Sequence, residues 1–127
     1  IQTMKSILLV EDESFIVQMY QSKLESSGFS VFPCESVAAA ETVLYEEKKT
    51  VDLILLDLIL PEKGGMEFLT ELKKAEEYSD IPVIILSNLS AQQDIDQALK
   101  LGAVDYIVKS NFTPVEVVQI VNKYLSS

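Results

Sequence analysis

The chain reads as one α/β domain, a doubly wound (βα)5 unit with a parallel five-stranded sheet in the order 2-1-3-4-5. Three observations point there. Short apolar runs alternate with segments of helical periodicity, five of each along 127 residues, and such alternation builds a parallel sheet with helices on both faces. The run from Val51 to Leu60, Val-Asp-Leu-Ile-Leu-Leu-Asp-Leu-Ile-Leu, is apolar at eight of ten positions, as a strand covered on both faces must be. Right-handed crossovers leave few topologies for such units, with ligands at the carboxyl edge where the strand order reverses.

Ser6 to Val10 is an apolar run ending in Glu11-Asp12-Glu13, so a buried strand opens into an acidic loop. From Ser14 to Ser27, Ile16, Met19, Tyr20 and Leu24 recur at helical spacing, and Gly28 supplies the stop. Ser30 to Phe32 is a second, shorter strand. Ser36 caps a helix carrying Val37, Ala40, Val43 and Leu44, which dissolves in the charged run Glu46 to Lys49. Val51 to Leu60 is the third and central strand, with Asp57 near its end, ahead of Pro61 and Gly64-Gly65. A helix from Gly65 to about Glu77 turns Met66, Leu69 and Leu72 to one face. Pro82 to Leu86 is the fourth strand, its proline at the permitted first position. Ser90 to Leu101 is a helix with Ile95, Ala98 and Leu99 inward and Gly102 as its cap; Asp105 to Val108 is the fifth strand. Thr113-Pro114 sets a capping hydroxyl before an N1 proline, and the last helix runs to about Leu125. Its apolar residues spread over about 220°, wider than a core-facing stripe, so some of Val115, Ile120 and Tyr124 should be exposed.

Composition narrows the function classes. Ten basic and twenty acidic residues give a net charge of −10; such a field repels phosphate backbones, so direct nucleic-acid binding is not expected. The single cysteine, Cys34, suits a reducing cytoplasm and reads as a small buried side chain. No stretch is long enough to span a bilayer and no secretory signal is evident, so neither membrane insertion nor export is expected. Ile1 to Thr3 precede Met4 and read as a cloning remnant, leaving residues 1–127 as one domain. The absence of histidine excludes His-based catalysis.

The strand ends carry the chemistry. Strand one delivers Glu11 and Asp12, strand three Asp57, strand four Ser87 and strand five Lys109. In the doubly wound order these strands are adjacent, so all five side chains converge on one crevice. A carboxylate closing an apolar strand is costly unless paired. Each pair of carboxylates at ~5 Å costs about 3 kcal/mol at an effective dielectric near 20. A hard divalent cation with oxygen ligands relieves that repulsion.

Here the residues match a family. The chain resembles the receiver (response-regulator, chemotaxis-receiver-like) domain of two-component signal transduction, a flavodoxin-like fold, over about Lys5 to Leu125. The resemblance rests on Val10-Glu11-Asp12 after strand one and on Asp57-Leu-Ile-Leu-Pro61 with Gly64 after strand three. Ser87 after strand four and Tyr106-Ile-Val-Lys109 in strand five complete it. Each fragment alone is weak, whereas four in order at the right spacing are specific. The strand order leans on this resemblance as well as on the crossover rule.

The resemblance implies a phosphorylation-activated switch: Asp57 accepts a phosphoryl group from a histidine kinase or phosphotransfer protein. It implies Mg2+ (or Mn2+) held by Asp12, Asp57 and the backbone carbonyl of Ile59, with Glu11 contacting the ion through water. Lys109 would pair with one phosphoryl oxygen and Ser87 donate its hydroxyl to another. When Ser87 moves toward the phosphoryl group, Tyr106 would rotate from solvent into the space left behind. The surface of the fourth helix, fifth strand and fifth helix would then act on a downstream protein or attached effector. It would also be the contact face if the monomer dimerises.

The chain departs from the family beside the site. Receivers often carry proline after the strand-five lysine, in a cis peptide; here Ser110 stands there, and a trans bond with a re-routed Ser110 to Thr113 loop is expected. Asn88 replaces the usual alanine after Ser87 and should narrow access to Asp57. Ile59 and Leu89, which flank the path of the hydrolytic water in the family, are apolar and cannot orient it, so slow self-dephosphorylation is expected. Three rivals compete with the switch. A flavodoxin-like electron carrier would need a phosphate loop where Glu11-Asp12-Glu13 stands. An aspartyl-phosphate hydrolase would carry a second aspartate at Ile59. A scaffold would not need every reactive residue type.

Overall fold

Alternate residues along the strands point to opposite faces, and that pattern sets the layers. The computed structural model describes residues 4–126; Ile1 to Thr3 lie outside the described residues. The strands β1 (Ser6–Val10), β2 (Ser30–Cys34), β3 (Leu53–Leu56), β4 (Val83–Ser87) and β5 (Asp105–Val108) form one parallel sheet, in the order β2-β1-β3-β4-β5. Between and after them run α1 (Ser14–Ser26), α2 (Val37–Glu41, continued by a π-helical turn Thr42–Glu46), α3 (Gly65–Lys74), α4 (Gln92–Leu101) and α5 (Pro114–Leu125). Leu8, Val10, Ile54, Leu56, Val83 and Ile85 face α2, α3 and α4, where Val37, Ala40, Phe68, Leu69, Leu72 and Ala98 meet them. Ile7, Leu9, Leu53, Leu55, Ile84 and Leu86 face α1 and α5, against Val17, Tyr20, Leu24, Val117 and Val121.

The register carries the reactive positions to one edge. Val10 pairs with Leu56, Leu56 with Ile85, and Ser87 with Val108, so the next residues outward emerge side by side. The Asp57 N–H still donates to the Val10 carbonyl at 3.0 Å, keeping the residue on the sheet although the strand closes at Leu56.

Several elements differ from the sequence-based expectation. β3 does not run to Leu60: β1 ends level with Leu56 while β4 goes on to Ser87, and past Asp57 the chain turns away from the sheet and leaves Ile59 57% exposed. β2 extends two residues through Pro33, tolerated because β2 is an edge strand. α3 stops at Lys74, and Phe68 is fully buried along with Leu69 and Leu72, whereas Met66 is only partly buried. α4 starts at Gln92 and rests on the sheet through Ala98; Leu99, one step of about 100° further round, points outward at 44% exposure. In α5, Val115 is exposed, while Ile120 and Tyr124 pack partly against the core. The N-terminus of α5 gains a full capping box, Thr113 and Glu116 each bonding the other's backbone N–H. Cys34 is buried, and burial pushes its thiol up to about 11. Among the described residues no helix is long and apolar enough to cross a membrane.

Candidate functional site

Among the described residues the buried polar or charged side chains are Glu11, Asp57 and Ser87, and all lie at the carboxyl edge of the sheet. Elsewhere the interior is apolar, as a two-faced parallel sheet demands. Lys109 is the cation that makes the two buried acids tolerable. Its ammonium donates to Asp57 Oδ2 at 2.8 Å and to Glu11 Oε1 in a second, very short contact. The other Asp57 oxygen, Oδ1, accepts the Ile59 N–H at 3.0 Å. Glu11 Oε2 accepts the N–H of Asp12 at 2.9 Å. Ser87, at the end of β4, is fully buried, and its Oγ accepts the Leu89 N–H at 3.3 Å.

The two acids are driven in opposite directions. Burial pushes the Asp57 carboxyl up, but the hydrogen bonds from Lys109, Ser87 and the Ile59 N–H outweigh it and hold the group below the usual aspartate value. Burial dominates at Glu11: despite the Lys109 contact its carboxyl rises to about 7, with the charge of Asp57 adding to the rise. Burial pulls the Lys109 ammonium down, but its bonds to Asp57 and Glu11 prevail and raise it. Asp57 is thus the acid kept ionised.

A cleft lined by Asp12, Glu13, Asp57, Ile59, Asn88 and Lys109 opens over this cluster. One carboxylate oxygen each from Glu11, Asp12 and Asp57 lies within 4.8 Å of the others. Three carboxylates meet one ammonium there, and an all-oxygen donor set with surplus negative charge fits a hard dication.

The sequence-predicted residues Glu11, Asp12, Asp57, Ser87 and Lys109 therefore share one site. The Glu11 side chain is buried and bonds Lys109 directly, a partner the sequence did not suggest. Adjacent acids after a strand point to opposite sides, so one turns into the protein and its neighbour Asp12 out to solvent. For Ile59 the described contact is its N–H on Asp57. Tyr106 is partly buried: its ring packs partly against the core and its hydroxyl donates to the Leu89 carbonyl.

Two features went unnoticed in the sequence. Of the paired glycines it is Gly65, not Gly64, that the site requires. A Cβ on Gly65 would stand 2.2 Å from the Asp57 carbonyl oxygen, while one on Gly64 would meet nothing. Composition alone cannot tell which of two neighbouring glycines is crowded. The second is a hydrogen bond of 3.1 Å from the Ser110 N–H to Asn88 Oδ1. Among the described residues no peptide bond is cis, so Lys109–Ser110 is trans, as the serine led us to expect, and Lys109–Asn111 form a short 3-10 turn.

Comparison with known proteins bears on this arrangement. Residues 7–122 match the family model described as the response regulator receiver domain. The phosphate regulon transcriptional regulatory protein PhoB of Pseudomonas aeruginosa is 40% identical over 114 residues, which are 90% of this chain and 48% of PhoB. The chain spans about half the length of the curated relatives it matches. The crystal structure of the phosphorylated cyanobacterial phytochrome response regulator RcpA has a TM-score of 0.85 at 32% identity, covering 98% of this chain and 96% of that one. The Mn2+-bound response regulator Rcp1 has a TM-score of 0.85 at 30% identity, covering 97% of this chain and 96% of its own.

Proposed function

The chain belongs to the response regulator receiver-domain family, the phosphorylation-activated switches of two-component systems, and we propose that Asp57 is the residue that takes the phosphoryl group. One observation carries this: Asp57 is a carboxylate only 5% exposed, held ionised by Lys109 and the Ile59 N–H in the floor of an open acidic cleft. In the transfer, an Asp57 oxygen bonds to phosphorus as the phosphorus–nitrogen bond of a phosphohistidine breaks, and the electron pair leaves with the imidazole nitrogen. The product is an acyl phosphate. Lys109 and the Ser87 hydroxyl are the groups at hand to hold its outer oxygens, and positioned charge is what phosphoryl transfer chiefly requires.

Asp12, Asp57 and the backbone carbonyl of Ile59 would hold Mg2+ (or Mn2+), with Glu11 contacting it through water, and the ion would supply positive charge against the phosphoryl oxygens. The donor is a histidine kinase or phosphotransfer protein. The output runs through α4, β5 and α5, where Leu99, Val104 and Val115 are exposed at 44%, 41% and 50%, to a downstream protein or attached effector; the same face would serve a dimer. Tyr106, bonded to the Leu89 carbonyl, reports the position of the turn after β4. The domain works as a phosphoacceptor switch and not as a turnover enzyme, and direct nucleic-acid contact is disfavoured by its net charge of −10.

Intact mass after incubation with a small phosphodonor and Mg2+ tests the reading. One added phosphoryl group, absent in Asp57→Asn, is expected; equal uptake by the variant rejects it.

A further inference from the structure

Beyond the β4–β5 ladder, in which Ser87 pairs with Val108, two further bonds tie the segment Ser87-Asn88-Leu89 to β5 and the turn that follows it. The Tyr106 hydroxyl, from β5, donates to the Leu89 carbonyl. The Ser110 N–H, just past β5, donates to Asn88 Oδ1. Neither tie touches Asp57, yet each sits beside a side chain that does. Asn88 follows Ser87, whose hydroxyl helps hold Asp57 ionised, and Ser110 follows Lys109, which bonds Asp57 Oδ2. A backbone N–H can only donate, so the carboxamide oxygen of Asn88 must be the atom facing Ser110.

Asn88 and Ser110 are also the two residues that depart from the receiver pattern beside the site. A proline at 110 has no N–H to give, and an alanine at 88 has no side-chain oxygen to receive it. The bond therefore needs both departures together.

We propose that Asn88 is a positioning residue: through the Ser110 N–H it fastens the turn after β4 to the turn after β5, so that Ser87 and Lys109 address Asp57 as one unit. The proposal rests on the reading of Asp57 as phosphoacceptor. With both ties made, the turn after β4 is drawn toward β5 and the Ser87 hydroxyl stands at Asp57. Without the Asn88 tie, Tyr106 alone holds that turn beyond the β4–β5 ladder, and the Lys109 turn loses its side-chain link to it. A single exposed hydrogen bond shifts such an equilibrium by about two- to tenfold.

The test uses Asn88→Ala, Ser110→Pro and the double variant, with affinity for beryllofluoride, a phosphoryl mimic, measured in Mg2+. Hydrogen exchange at the Ser110 amide is followed in cation-free buffer. Beryllofluoride binding is expected to weaken about two- to tenfold in each single variant and no further in the double one, as partners in one bond behave. The Ser110 amide should exchange faster by a similar factor in Asn88→Ala and stay protected in Asn88→Asp, which keeps the acceptor oxygen. Additive losses, wild-type affinity in Asn88→Ala, or unchanged exchange there would overturn the proposal alone. A wild-type protein that takes no beryllofluoride would overturn the reading of Asp57 and this proposal with it.

Discussion

Two aspartates stand at opposite ends of β3, five residues apart in the chain, and they differ in every physical respect but residue type. Asp52, just before the strand, is partly buried and accepts the Ser6 N–H at 2.7 Å, satisfying a donor where β1 begins. Asp57, just after it, is buried, shares an ammonium with a second buried acid and faces a cleft. The strand between them, Leu53–Leu56, is fully buried and only spaces them. Residue type at a strand end therefore does not make a reactive site. What sets Asp57 apart is a cation within hydrogen-bonding reach at the carboxyl edge of the sheet.

The largest expected contrast is chemical. Asp57→Asn should lose phosphoryl uptake entirely, while Asp52→Asn, which keeps an acceptor oxygen for Ser6, should take up one group like the wild type; intact mass reads both. If Asp52→Asn also lost uptake, the two ends of β3 would not be separable. Next in size is Lys109→Met. Removing the ammonium leaves Glu11 and Asp57 buried without a counter-charge, at a cost of about 3–5 kcal/mol in chemical denaturation. A loss below 1 kcal/mol, as expected of a surface pair, would mean the site is wetter than its burial indicates.

The pH dependence has a definite sign. The Glu11 carboxyl, at 4.5 ordinarily, is raised to about 7 in the folded chain, so its contribution to stability is complete below 4.5 and is lost as pH rises through about 7. In cation-free buffer stability should fall across that window by at most about 3 kcal/mol, and Glu11→Gln should flatten the curve. Added Mg2+ should reverse the fall, because it favours the ionised form. Asp57 runs the other way: its lowered pKa contributes stability above 3.8 that is lost as acid protonates it.

Gly65→Ala should cost about 1–3 kcal/mol by driving a methyl into the Asp57 carbonyl, whereas Gly64→Ala should be close to neutral. Asp52→Ala should cost about 1 kcal/mol for one lost backbone partner, with uptake unchanged.

The sequence carried the strands, the helices and the meeting of Glu11, Asp12, Asp57, Ser87 and Lys109 because those depend on periodicity and on where apolar runs stop. It misplaced the end of β3 because Leu58, Ile59 and Leu60 prolong the apolar pattern after the chain has turned out of the sheet. It turned Leu99 inward because helical spacing marks a face without saying how wide the contact is; Ala98 is buried under α4 and Leu101 packs partly beside it. The Glu11–Lys109 pair, the crowding at Gly65 and the Asn88–Ser110 bond join residues far apart in the chain or depend on backbone approach. No local pattern contains them.

The central claim is that the phosphoryl group sits on Asp57, and locating it is the most direct test. Borohydride reduces an aspartyl phosphate to homoserine, so the phosphorylated protein should be trapped with borohydride, digested and mapped by mass spectrometry. Homoserine at position 57 is the predicted result; reduction at position 12, 11 or 52 with Asp57 intact would contradict the account.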